Sequence, residues 1–160
     1  MNLAPSTIPN LSELLSSDDI NASVIEIDTF ICEFCAYGAH LDKLSEPQKF
    51  FFFNQNLERE VNNGGFDQYF FNSSGEFAHE TIGALKVIGA ERTAALLQQA
   101  IAQFPNGRVP KDRDERNNVL DGIREQAGSV WNDLDQRFYS YEDDLLALNL
   151  AYVKRNRNAF

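Results

Sequence analysis

Two cysteines, one methionine, one tryptophan and five prolines are all that this 160-residue chain holds of those residue types, and each scarcity removes a class of explanation. Two thiols cannot build a multi-bridge disulfide scaffold, and a chain of this length buries enough surface to fold without one. No apolar run approaches the ~20 residues of a membrane span. Met1 to Asn10 has neither a basic residue nor an apolar stretch of signal-peptide length, so a cytoplasmic protein with no membrane contact is expected. Basic residues are also scarce: 14 Lys and Arg face 24 Asp and Glu, leaving a net charge of −10. That balance opposes direct binding to nucleic acid and favours a basic protein partner. Neither a phosphate-binding G-x-x-x-x-G-K-[ST] or G-x-G-x-x-G loop nor a G-x-S-x-G nucleophile elbow occurs, so we expect no catalytic residue and no cofactor.

What is abundant is aromatic: 13 Phe and five Tyr, a heavy apolar load for so small a chain. Hydrophobic periodicity predicts an all-α, multi-helix single domain over residues 1–160. A short helix is expected at Ser12–Leu15. A second follows an Asp18 or Asp19 cap, with Ile20, Val24, Ile27, Ile31 and Phe34 on one stripe, and should end near Gly38. Ser45 reads as the N-cap of a third, which Asn62-Asn63-Gly64-Gly65 should stop in a sharp turn. Phe66–Phe71 is expected as a short helix, with a strand as the alternative. Stripes from Glu76 to Gly89 and from Ala94 to Phe104 predict two more helices. A charged helix should cover Asp112–Gln126, then a separate segment around Trp131, then a last helix from Tyr141 to about Arg155 capped by Ser140. Phe50 to Phe53 sweep too wide an arc for one core, so the run either packs on two sides or meets a second copy.

Candidate sites are few. Cys32 and Cys35 form a C-x-x-C placed mid-helix, which suits two small core residues better than a redox pair at a helix start. Glu76, His79 and Glu80 supply one carboxylate-imidazole face, half of what a di-metal bundle requires. A metal-dependent enzyme using these three is therefore one alternative reading, and two solvated histidines, His40 and His79, the plainer one. The acids cluster: from Leu11 to Glu60 ten acidic residues meet three basic ones, and from Asp112 to Asp144 ten meet four. Such runs read either as a solvated face or as a binding surface.

One stretch bears on that choice. Glu58-Arg59-Glu60-Val61-Asn62-Asn63-Gly64-Gly65-Phe66-Asp67-Gln68-Tyr69-Phe70-Phe71-Asn72-Ser73-Ser74-Gly75-Glu76, followed by Ala84-Leu85, Ile88-Gly89-Ala90, Phe104-Pro105, Asp143-Asp144-Leu145-Leu146 and Tyr152-Val153, resembles the all-helical domain of a bacterial family typified by a DNA-mimic protein. The resemblance covers about 49–160 and leaves the acidic N-terminal helices of 1–45 outside. It implies a homodimer whose carboxylates stand in for phosphates and occupy the DNA site of a DNA-binding protein, such as a helix-turn-helix transcription factor, regulating it by sequestration. Gly64, Gly65, Phe66, Tyr69 and Phe70 read as structural. Glu13, Asp18, Asp19, Glu26, Asp28, Asp42, Glu46, Glu142, Asp143 and Asp144 are the candidate mimicking carboxylates. A second binding reading is an immunity or antitoxin-like inhibitor of a basic toxin or nuclease.

Overall fold

A computed structural model describes residues 7–160. Among them are seven α-helices and no strand: α1 (Leu11–Ser16), α2 (Ile20–Phe34), α3 (Glu46–Phe71), α4 (Ala78–Ile88), α5 (Glu91–Ile101), α6 (Arg113–Tyr139) and α7 (Leu145–Arg155), with short 3-10 turns between several of them. The chain forms two compact units, one from the residues up to Phe52 together with Asp144–Phe160, the other from Phe53–Asp143.

In the first unit α2 packs on α1 and α7. Asp19 caps α2, its Oδ1 accepting from Ala22 N at 2.9 Å. The middle of the expected stripe turns inward, with Val24, Ile27 and Ile31 all buried, while Ile20 at its start is exposed and Phe34 at its end half-buried. Buried Ser23 donates its hydroxyl to Leu14 O at 2.8 Å, tying α1 down. The helix ends at Phe34, earlier than expected, because Ala36 and Tyr37 adopt φ of 49° and 54° and leave the right-handed region. Ser45 does start α3, in a reciprocal cap: its hydroxyl accepts from Gln48 N, and Gln48 Oε1 accepts from Ser45 N. The same hydroxyl donates to Ala159 O at 2.9 Å, and Phe51 meets Phe160 edge-on, so the chain end is anchored at the start of α3.

In the second unit α5 packs on α4 and α6. The Asn62–Gly65 run breaks α3 internally. Gly65 has φ 73° and Gly64 lies outside helical geometry, which divides the helix into 46–63 and 66–71. The strand alternative for Phe66–Phe71 is thereby excluded. Both new ends are satisfied from α6 and the residues after it. Tyr139 donates its hydroxyl to Val61 O, Asn62 Nδ2 donates to Tyr141 Oη, and Tyr141 donates to Glu58. Asp135 accepts from Phe66 N at 2.9 Å, acting as a cap supplied from another helix. Burial pushes the Asp135 carboxyl above its usual range, which the bond from Phe66 partly opposes. Beyond the break, Phe66, Tyr69 and Phe70 are fully buried, and Phe70 packs on Phe104 and Trp131 at ring separations of 4.8 and 5.5 Å. The four-Phe run is shared between cores: Phe51 faces Phe160, and Phe53 stacks on Phe77 at 4.9 Å.

Two boundaries differ from expectation. The charged segment and the Trp131 segment are one helix, α6, because the buried positions Arg116, Leu120, Ala127, Trp131, Leu134 and Phe138 keep helical spacing straight through Gly122 and Gly128. Burial along that stripe offsets the ~1 kcal/mol that each interior glycine costs. The last helix starts at Leu145 rather than Tyr141, since Tyr141 has φ 49° and Asp144, not Ser140, is the N-cap. Ser140 closes α6 instead, its hydroxyl donating to Arg137 O.

Arg116 is wholly buried, and its guanidinium donates to four peptide carbonyls: Phe70 O at 2.7 Å, Asn72 O at 3.0 Å, and Pro110 O and Lys111 O both at 2.9 Å. Lysine has the charge but not the planar fork that reaches four acceptors.

Two outcomes follow from this packing. Gly65→Val should cost at least ~2 kcal/mol in chemical denaturation, because a β-branched residue resists positive φ and a Cβ there would collide with Asp135; Gly64→Ala, whose φ is open to any residue but whose Cβ would collide with the Gln68 side chain, should cost less because it adds no backbone strain. Arg116→Lys should destabilise by roughly 3 kcal/mol or more, read from the denaturation midpoint, as several buried carbonyls lose their donor.

Candidate partner-binding surface

The carboxylates fall into two populations. Some hold the fold together. Glu60, half-buried, accepts from Gln68 Nε2 and Asn72 Nδ2, each at 2.8 Å, and from Ser74 at 3.4 Å. Asp67 pairs with Arg124 at 2.8 Å, and Asp112 caps α6 through Glu115 N. The segment Glu142-Asp143-Asp144 belongs here too. Asp143 accepts from both Thr93 N and the Thr93 hydroxyl, at 2.7 and 3.0 Å, capping the first turn of α5. Asp144 caps α7 through Ala147 N at 3.0 Å, and Glu142 pairs with Arg92 at 3.1 Å. Two of the three, Glu142 and Asp144, are nonetheless exposed.

The second population faces outward from the N-terminal elements. Glu13 stands in the first turn of α1, Asp18 in the α1–α2 connection, Asp42 in a 3-10 turn and Glu46 in the first turn of α3, and all four are exposed. Along α2, Glu26 and Glu33 stand seven residues apart and so lie on one line, about 10.5 Å from each other, with Asp19, the N-cap that accepts from Ala22 N, exposed at the start of the helix. Glu26 accepts from Asn10 Nδ2 at 3.2 Å. Asp28 is half-buried, with the Cys32 thiol 3.6 Å from its Oδ1. The first 42 residues contain seven acids, Glu13, Asp18, Asp19, Glu26, Asp28, Glu33 and Asp42, and no Lys or Arg at all. The field over these elements is therefore uncompensated within the segment that generates it. One helical line supplies a charge only every ~10.5 Å, against one per ~3.4 Å along a DNA strand, so matching a phosphate row takes α1, the α1–α2 connection and α2 together.

The remaining candidates are engaged in structure. His79 is not simply solvated: its Nε2 accepts from Val109 N at 3.1 Å, Glu80 pairs with Lys111, and Lys111 reaches Glu76 O at 3.3 Å. The Glu76-His79-Glu80 face thus fastens the loop before α6 onto α4. Among the described residues no three His, Cys, Asp or Glu gather where they could hold a metal ion. Cys32 lies in the last turn of α2 and Cys35 is its C-cap, not mid-helix as the spacing suggested; both are buried. Burial raises the Cys35 thiol above its usual pKa, and a helix C-terminus likewise disfavours a thiolate. Tyr69 is pushed well above the usual phenol range by burial, with Thr81 Oγ1 at 3.2 Å from its hydroxyl. No described helix is long and apolar enough to cross a membrane.

The fold is all-helical, its motif residues are engaged in structure, and the exposed acids of α1 and α2 lie in a segment without Lys or Arg. The family model of DMP19-like proteins matches residues 42–156, and the chain belongs to that family. No curated protein and no solved structure matches it. The matched region begins at Asp42, so α1 and α2, with most of the outward acids, lie outside it.

A thiol-reactive dye should label neither cysteine under native conditions and both on unfolding. The Cys32→Ala, Cys35→Ala double variant should lose ~1–2 kcal/mol in denaturation while its partner affinity is unchanged; rapid native labelling would contradict the structural role.

Proposed function

We infer that this protein is a non-enzymatic DNA mimic: its exposed carboxylates occupy the DNA-binding site of a basic partner, best fitted by a helix-turn-helix transcription factor, and regulate it by sequestration in the cytoplasm. The observation that carries the reading is the cation-free N-terminal 42 residues, with Glu13, Asp18, Asp19, Glu26 and Asp42 exposed. Membership of the DMP19-like family supports it. Glu46, the α7 cap Asp144 and Glu142, which pairs with Arg92, are exposed acids as well, whereas Asp28 and Asp143 are half-buried and contribute mainly field. A homodimer would carry 2 × (−10) = −20, the charge on ~34 Å of duplex and about the separation of two half-sites. Such a surface repels nucleic acid itself.

The test takes a partner captured from native lysate and measures displacement of its labelled operator duplex as this protein is added, at low and physiological salt. Displacement should be complete and weaken as salt rises, since rim contacts are screened over ~8 Å at physiological ionic strength. Glu13→Gln, Asp18→Asn and Glu26→Gln together should slow association about tenfold with little effect on dissociation. A partner that holds this protein and DNA at once would overturn the reading.

A further inference from the structure

We propose that the outer face of α2 is a docking groove for a basic amphipathic helix of a partner protein. This deepens the mimic reading by giving the partner's contact chemistry, and it rests on a separate observation. α2 is doubly apolar. Its buried stripe faces the core, but Ala22, Ile25, Thr29 and Phe30 lie on the other side and, with the Ile8–Asn10 segment, enclose an open depression of about 600 Å³. Ile25 is 56% exposed. At ~100° per residue, positions 22, 25, 26, 29, 30 and 33 span an arc of about 140°, and Glu26 and Glu33 stand within it, between Ile25 and Phe30. The groove is thus an apolar floor crossed by two carboxylates, about 17 Å long from Ala22 to Glu33.

Charge decides the occupant. A second copy of this chain would bring its own Glu26 and Glu33 against these with no Lys or Arg in the first 42 residues to answer them, and like charges facing across an interface are unfavourable. A nucleic acid or lipid headgroup would be repelled for the same reason. A segment with apolar side chains at i, i+3 or i+4 and i+7, flanked by Lys or Arg, satisfies both features, and ~12 residues of helix match the length. Phosphate mimicry alone needs only charge. The floor adds a contact that DNA does not offer.

The probe is a fluorescent helical peptide of about 14 residues with Leu on one face and Lys beside it, titrated into the full-length protein and read by anisotropy. Wild type should bind it. Ile25→Ser should weaken binding about tenfold, and Glu26→Gln with Glu33→Gln by a similar factor at low salt, the first effect persisting at high salt and the second fading. Ile25 is exposed enough that its variant should melt with wild type, which thermal unfolding checks. Asp114→Asn, on the exposed first turn of α6, should change nothing. Unchanged affinity in the α2 variants, or equal binding by a peptide with Ser in place of Leu, would overturn the proposal. So would self-association abolished by Ile25→Ser, which assigns the groove to a second copy, or tighter binding on deletion of residues 1–6, which assigns it to this chain. The two readings fail separately: peptide binding at α2 without operator displacement sinks the mimic reading alone, and displacement unaffected by Ile25→Ser sinks the groove alone.

Discussion

The second unit depends on a buried cation that, among the described residues, has no carboxylate paired with it. The Arg116 guanidinium, closed off from water, is solvated by the carbonyls of Phe70, Asn72, Pro110 and Lys111. These come from the end of α3, the residue opening the following 3-10 turn and the loop before α6. One side chain therefore fixes three backbone segments at once. Gly75 is small for the same reason: a Cβ there would come within 2.9 Å of Arg116 Nε and 2.7 Å of Phe70 O.

Around that centre the long motif acquires a physical meaning. Gly65 breaks α3, Asp135 and Tyr139 satisfy the ends thus created, and Glu60 gathers Gln68, Asn72 and Ser74 across the break. A break in the middle of a helix exposes backbone donors and acceptors that must be paired. The polar residues of the motif are largely the pairing. This is why a segment rich in Glu, Asp and Asn belongs to the fold rather than to a ligand.

Net charge is consequently a poor guide to where function lies. Both acid-rich stretches look alike in composition, but the one from Asp112 to Asp144 spends much of its charge on caps and ion pairs: Asp112, Asp135, Asp143 and Asp144 accept from backbone N–H groups, and Asp121 and Glu142 pair with arginines. The first 42 residues of the N-terminal stretch contain no cation to pair with, and of their acids Asp19 accepts from a backbone N–H, that of Ala22. An anionic face attached to a helix with an exposed apolar side joins steering charge to a surface capable of short-range packing, the two components that protein recognition combines.

Periodicity and caps were sufficient for the all-helical class, the Ser45 and Asp19 starts and the break at Gly64-Gly65, because each is encoded within a turn or two of chain. The continuity of α6 was not legible: Gly128 reads locally as a stop, and only burial of Trp131 and Leu134 on the same stripe as Leu120 keeps the helix going. Nor was the α7 start, since Ser140 is a good cap in sequence and the positive φ of Tyr141, whose hydroxyl bonds Glu58 and Asn62 from far along the chain, moves the start on to Asp144. His79 and Asp143 likewise acquire their roles from partners 30 and 50 residues away, Val109 and Thr93. The all-helical class and the total charge are sums over near neighbours and were readable from the chain alone; which carboxylates bond inside the fold and which stand exposed depended on tertiary structure, because a hydrogen bond needs its donor within ~3 Å and sequence distance does not report that.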